Sequence, residues 1–395
     1  MNTKEAKCFI CDSKRLNELF ELENYPAYIV PLPSNISSIV ERRNLALHNC
    51  LTCGHFQYVY ADPHLQKLIY KKYYSYYTVD SSESFSPHYR VPFHEFFDKL
   101  KKDQVLVNKE NILEIGCSSG QQVNFLKQFA NNYYGIDPSE RIHLAIKDYP
   151  KDNFTHGYFP QDISNISFDV IVSQFNLEHI NNVQEFMTSI YNSLTNIGVV
   201  IIQIPDIEDF RRNKQPNFLA HEHIQYFTKN TIEKLLLSQG FEKLNWGAEG
   251  PSLIVAAHKG TKPTNFDFSD DTAKSIEQGQ IHKELFLNHP SNIPEKVIYY
   301  GVGPQLYWLL SQKKQGIETC VIFDDNSSYE GQGLPGFENI IQKPSKKILE
   351  EYKCVVLSLN RIYHAKVLEK LTLLKVAIDV YYIDQNGEWN INQIK

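Results

Sequence analysis

Residues 112–126 read ILEIGCSSGQQVNFL. A short apolar run, Ile112–Ile115, meets a Gly116-x-x-x-Gly120 turn, and an apolar face follows at Val123, Leu126 and Phe129. The pattern predicts strand, tight turn and helix. Small residues in such a turn let a ligand approach the backbone, and the first N–H groups of the helix face it. Asp137 ends the next predicted strand, Tyr133–Ile136, 21 residues after Gly116. From there a carboxylate grips ribose hydroxyls. Glycines plus acid suit two cofactors, NAD and S-adenosylmethionine. The NAD fingerprint Gly-x-Gly-x-x-Gly is absent, because Ser118 stands at its second glycine.

The alternation continues outward. Strands are predicted at Val170–Val172 and Val199–Ile204, with a helix at Val183–Leu194 between them. Another helix, Thr231–Gln239, stops at Gly240, and strand-like runs at Phe241–Trp246 and Leu253–Ala257 close the unit. Strands alternating with helices imply a mostly parallel sheet covered on both faces. Residues 260–275 are polar and contain proline, which reads as a linker. A second α/β run follows, beginning VIYYGVG, with Gly301-x-Gly303 and then Asp324 and Asp325. It has no third glycine and Pro304 follows at once, so it reads as a degenerate nucleotide-binding turn that walls a substrate cleft. Upstream, five tyrosines (Tyr70, Tyr73, Tyr74, Tyr76, Tyr77) crowd eight residues, and helix and loop both fit. Helical spacing returns at Phe93, Phe96, Phe97 and Leu100.

Two cysteine pairs, Cys8-x-x-Cys11 and Cys50-x-x-Cys53, open the chain. Disulfides are disfavoured in a reducing compartment, and two such knuckles suit tetrahedral thiolate coordination of Zn2+. Four thiolates close the site, so this zinc is expected to be structural. The plainer alternatives are reduced buried thiols or a redox pair. His48 and His55 flank the second knuckle as substitute ligands.

With 395 residues, 42% apolar and 22% charged, the chain has the composition of an ordinary globular protein of two or three domains. A net charge of −6 gives no basic surplus for a nucleic-acid partner. No apolar run reaches the ~18–20 residues of a membrane span. The start, MNTKEAKCFICDSKRL, has no apolar signal region, so a cytoplasmic setting is expected. Monomer and dimer both remain open.

Further motifs carry a resemblance. Glu114 two residues before Gly116 is similar to the opening of class I methyltransferases, where a carboxylate orients the glycine turn around the cationic end of the cofactor. Gly135-Ile-Asp137-Pro-Ser139 looks like their second motif. FDVIVSQFNLEHI resembles their fourth strand, which implies that Ser173 and Gln174 emerge toward the cofactor. The order of the whole chain resembles the sugar C-methyltransferases that act on nucleotide-linked keto-deoxysugars. It matches them at Tyr74-Ser-Tyr76 with Ser81-Ser82, at His221-Glu222-His223 before Tyr226-Phe227, at Asp324-Asp325-Asn326 and at Pro335-Gly336. It departs at Ala220, where that family has tyrosine, in the missing histidine among the tyrosines, and in Gly116-Cys-Ser-Ser-Gly120 and Gly250-Pro-Ser252.

The resemblance implies an α/β fold with a Rossmann-like class I methyltransferase core at 106–260. A zinc-binding domain at 1–65 and a tyrosine-rich connector at 66–105 precede it, and a smaller α/β domain at 276–395 follows. It implies S-adenosylmethionine as cofactor, held by Glu114, Gly116, Ser118, Gly120, Asp137, Ser173 and Gln174. The partner it implies is a nucleotide-linked sugar or a glycan. Methylation beside a ketone needs a base and a stabilised enolate. By family match His223 is the base, Glu222 holds local geometry or a sugar hydroxyl, and Tyr76 donates to the oxyanion. In a strand, His221 would share the face of His223 and Glu222 would point away. Glu178-His179 is a second acid–histidine pair. O-methylation and a catalytically inactive, cofactor-binding scaffold are the competing readings.

Overall fold

The computed structural model describes residues 6–59, 62–76, 87–163, 166–214, 219–269, 272–288, 293–313 and 316–395. Tyr77 and the Ser81-Ser82 pair lie outside them. Near the amino end, β1 (Leu16–Pro26), β2 (Arg42–Cys50) and β3 (Phe56–Tyr58) form an antiparallel meander. Its fourth strand, β9 (Gln225–Tyr226), arrives from far along the chain and pairs Tyr226 with Phe56.

The central sheet has seven strands: β4 (Asn111–Ile115), β5 (Asn132–Asp137), β6 (Asn153–His156), β7 (Phe168–Gln174), β8 (Leu194–Pro205), β10 (Phe241–Trp246) and β11 (Ser252–Lys259). Their order is β6-β5-β4-β7-β8-β11-β10. The pairs from β6 through β8 are parallel, and β11 is antiparallel to both of its neighbours. Central strands buried on both faces read as continuous apolar runs, as in Val199–Ile202. One face packs Phe93, Phe97, Val123 and Leu126; the other packs Leu177, Met187 and Leu235, and the cysteine knuckles join this second cluster. The chain leaves β4 toward β5 on one side and returns to β7 on the other. The sheet therefore changes direction between β4 and β7, and their carboxyl ends frame a crevice.

The last unit orders β14 (Ile341–Gln342), β13 (Val321–Phe323), β12 (Ile298–Tyr300), β15 (Cys354–Leu357), β16 (Ile378–Ile383) and β17 (Trp389–Ile394). All pairs are parallel except the last. This unit shares one apolar core with the amino-terminal sheet, where Tyr25, Leu47 and Phe56 join Tyr307 and Trp308. Residues 272–275, the end of the predicted linker, begin the helix Thr272–Leu287, which lies on β1 and β2. A Cβ at Gly279 would stand 2.7 Å from Leu19 Cδ2, so glycine permits the close approach. Among the described residues no helix is long and apolar enough to cross a membrane.

Candidate active site

The turn after β4 is built around Asp137. Gly116 and Gly120 take φ of +81° and +77°, and Ser118 sits left-handed at +46°. The Ser118 N–H donates to Asp137 Oδ2 at 2.8 Å, which holds that serine in a conformation it rarely adopts. Asp137 Oδ1 accepts from the Ser139 N–H at 2.8 Å and from its hydroxyl at 2.5 Å. A carboxylate has about four acceptor positions, so these three bonds leave one direction for a ligand hydroxyl. Arg141 reaches the same turn through Nε, which donates to Ser118 Oγ at 3.1 Å.

Glu114 lies buried beneath the turn and accepts from the Tyr133 hydroxyl at 2.5 Å. Burial, opposed by that bond and aided by the Asp137 charge, lifts its carboxyl to about 7. The folded chain therefore binds more protons here than the unfolded chain between about pH 4.5 and 7. Stability from this group falls as pH rises through that window. Glu114→Gln keeps an acceptor for Tyr133 without the charge. The variant should melt progressively higher than the native protein as pH climbs from about 5 to 8. A pH-independent gap in melting temperature would refute this.

Ser173 and Gln174 do not emerge together, because successive strand residues face opposite ways. Gln174 donates to Gln203 Oε1 at 2.7 Å, and Gln203 in turn donates to the Tyr89 carbonyl at 3.0 Å. Ser173 is fully buried beside Asn176, whose amide donates to its Oγ at 3.4 Å. Asn176 also lies over Gly116, 3.6 Å from where a Cβ would sit. Neither Asn176 nor Arg141 was expected at this turn. Their approach depends on contacts across the sheet that a local motif does not encode.

Beyond β7 the turn Leu177–His179 faces residues 219–224, an irregular segment that enters β9. Main chain and side chains staple the two together. The Ile224 N–H donates to the Glu178 carbonyl at 3.0 Å, and His179 Nδ1 donates to the Glu222 carbonyl at 2.8 Å. Gln225 Nε2 donates to the Leu177 carbonyl at 3.0 Å and to the Ile180 carbonyl at 2.7 Å. The two acid–histidine pairs therefore meet. His223 lies edge-on to His179, with ring centroids 4.8 Å apart.

His221 turns the other way: its Nε2 donates to the Tyr25 carbonyl at 3.3 Å. The expected shared face of His221 and His223 fails because the segment is a loop, not a strand. Glu222 accepts from the Tyr74 hydroxyl at 3.0 Å. Tyr76 packs against the cluster of Ala27, Tyr28 and Val40, so Tyr74 is the tyrosine that meets the acid. These tyrosines continue a helix that starts at Pro63, capped by Asp62, and widens into a π turn at Ile69–Tyr73. Tyr70 stands edge-on to His179 at 5.9 Å.

Desolvation dominates the electrostatics here. It lifts Glu222 to about 7 and Glu178 to about 8, lowers His179 and His221 to about 4, and holds His223 well below its ordinary value. The imidazole of His223 has no hydrogen-bond partner among the described residues. It is neutral at physiological pH and its lone pair is free, which is what a base requires.

The four cysteines converge at the amino end. Cys8 and Cys53 sulfurs lie 3.5 Å apart, Cys11 and Cys50 sulfurs 3.6 Å, and all four fall within 4.8 Å of one another. A disulfide would need ~2.05 Å. A tetrahedral zinc with ~2.3 Å bonds to sulfur sets the sulfurs about 3.8 Å apart, which these distances approach. His48 and His55 stand outside the group. His48 faces Glu18 at 3.6 Å, and His55 Nε2 pairs with Gln225 Oε1 at 3.1 Å.

The methyltransferase domain family matches residues 86–245, the span from the helix Pro87–Lys102 through β10. The chain carries a methyltransferase domain of the S-adenosylmethionine-dependent class. Its sheet has the class I Rossmann-like α/β arrangement. The C-methyltransferase NovU of Streptomyces niveus is 19% identical over 160 residues, 38% of this chain and 38% of that protein. A ubiquinone biosynthesis O-methyltransferase of Rickettsia bellii is 26% identical over 110 residues, 27% of this chain and 46% of its own. The chain thus spans less than half the length of either relative. The solved N-methyltransferase NodS of Bradyrhizobium japonicum, in complex with S-adenosyl-L-homocysteine, superposes with a TM-score of 0.36 at 15% identity. That match covers 47% of this chain and 91% of that one.

Proposed function

We propose that this protein methylates a carbon of a nucleotide-linked keto-deoxysugar at the expense of S-adenosylmethionine. The observation that carries the reading is the meeting of Glu178-His179 with Glu222-His223 at the carboxyl end of β7, the strand next to the glycine turn. When bound, the cofactor supplies a methyl group on a positively charged sulfur. The residues that would hold it are Gly116, Ser118, Gly120 and Asp137, with Asn176 above the turn and Glu114 below. Asp137 would accept a ribose hydroxyl in its remaining direction. Asp137→Ala should weaken S-adenosylhomocysteine binding about tenfold or more, since charge-assisted bonds contribute roughly 1.5–3 kcal/mol. Calorimetry showing equal affinity would remove Asp137 from the cofactor site.

His223 would take the proton beside the ketone, and Glu222, braced by Tyr74, would set the acceptor's position. His221 would serve structure through Tyr25. Cys8, Cys11, Cys50 and Cys53 would hold a structural zinc. Carbon is preferred as acceptor because a neutral buried histidine pair suits removal of a weakly acidic proton, and the C-methyltransferase name of one relative supports it. The O-methyltransferase name of the other supports the second reading. Mass spectrometry of products from S-adenosylmethionine and a panel of nucleotide-linked keto-deoxysugars separates the two. A carbon-bound methyl group is expected, a methyl ether would select O-methylation, and no methylated product across the panel would overturn the reading.

A further inference from the structure

Glu178 is 2% exposed, and neither of its carboxyl oxygens has a hydrogen-bond partner among the described residues. Buried polar groups in folded proteins are almost always paired, so an orphaned carboxyl calls for a reason. Its Oε1 lies 3.9 Å from His179 Nε2. His179 donates from Nδ1 to the Glu222 carbonyl, its ring also lies against the Phe175 carbonyl, and Nε2 is the ring nitrogen nearest Glu178. A carboxyl oxygen of Glu178 and one nitrogen each of His179 and His223 lie within 4.8 Å of one another. Three groups able to take up a proton thus meet where the Leu177–His179 turn adjoins residues 219–224.

We infer that Glu178 is the terminal proton acceptor of a relay, receiving by way of His179 the proton that His223 takes from the acceptor carbon. The relay rests on the carbon methylation proposed above. In that reaction the C–H bond breaks, its electron pair passes to the enolate and its proton to His223. A C–C bond forms while the C–S bond of the sulfonium breaks, and that pair stays on sulfur. One proton is left over per turnover. His223 holds it poorly, because burial and the neighbouring His179 oppose its positive charge. Burial disfavours the charged form of His179 as well, and it makes Glu178 the group that binds a proton most readily. The proton therefore moves downhill to Glu178 and leaves to water with product release. Glu178 touches no reacting atom and acts as a positioning residue for the proton.

Glu222, Tyr70, Tyr74 and Tyr226 are the other titratable groups around this cluster. Burial keeps the three phenols neutral, so Glu222, at about 7, is the neighbour that titrates nearby. Below its own pKa Glu178 already carries a proton and the relay starts full; above it the relay is empty and ready. Turnover should rise with pH through this limb.

The test uses the full chain in two arms. Infrared titration without substrate should show a protonated-carboxyl band lost with a midpoint near 8. That band should be absent from Glu178→Gln and retained in Glu222→Gln. Glu178→Leu, which also lacks a titratable group, serves if the glutamine variant does not fold. On the acceptor found by the product assay, Glu178→Gln should lower kcat about tenfold above pH 8, where the native carboxyl is ionised, a smaller loss than removal of a direct acid or base. It should flatten the rising limb and leave KM unchanged. A carbon-methylated product with an unaltered pH limb would overturn the relay alone. Absence of any such product would overturn the reading beneath it. No titrating carboxyl at Glu178 would overturn the relay in either case. So would a second divalent ion per chain that the Glu178 variants lose, because the lone pairs would then belong to the metal.

Discussion

Replacing His223 by Asn should reduce methyl transfer to a keto-sugar about a hundredfold or more, the range that a positioned base contributes. Asparagine keeps polarity and most of the volume, so folding and S-adenosylhomocysteine binding should persist. The size of the effect follows from the surroundings. Burial and His179 leave the imidazole neutral, and no described side chain occupies its lone pair. The base is therefore in its active form before substrate arrives, and nothing else in the loop duplicates it: His221 is turned to Tyr25. The native protein should also exchange the acceptor's carbon-bound proton with deuterated water without the methyl donor, and His223→Asn should not. Glu222→Gln should cost less, because its part is positional. Full activity of His223→Asn would transfer the role to His179 or to the tyrosines near it.

The second large effect concerns the cysteines. Cys50→Ser should abolish binding of one zinc per chain and lower the melting temperature by about 10 °C. Zinc-finger peptides hold their ion with ~10–16 kcal/mol, and a loss of about 8 kcal/mol moves the midpoint of a chain this size by that much. The damage should spread further than the first 65 residues, because Cys8, Cys50 and Cys53 pack into the same apolar cluster as Leu177 and Leu235 of the central domain. Cofactor affinity should change less than stability does. Elemental analysis of gently prepared native protein that finds no zinc would end this account, and so would a chelator that leaves the melting curve in place.

The features legible in the sequence were those encoded by neighbours in the chain. The strand–turn–helix at 112–126 follows from a run of apolar residues and two glycines, and the cysteine knuckles from a two-residue spacing. What escaped reading was set by partners far away. The fourth-strand motif points Ser173 and Gln174 at one ligand, yet the pleat sends them to opposite faces, and Gln203, 29 residues on, claims Gln174. Residues 221–223 were weighed as a strand; strand pairing starts only at Gln225, where β3 supplies the partner. The family match points to Tyr76, whereas the helix from Pro63 places Tyr74 against Glu222. The meeting of Glu178-His179 with Glu222-His223 spans 43 residues and has no local signature.

The fourth strand of the amino-terminal sheet has a consequence for dissection of the chain. β9 comes from the loop that bears Glu222 and His223, so a fragment ending near residue 65 would keep its cysteines and lose its outer strand. β3 would then present unpaired N–H and C=O groups at Phe56 and Gln57, an open edge of the kind that recruits strands from other molecules. Such a fragment would self-associate even with metal supplied. In the intact chain the same edge is sealed by the loop that carries the histidines, so a protease cut within residues 219–227 would disturb chemistry and solubility together.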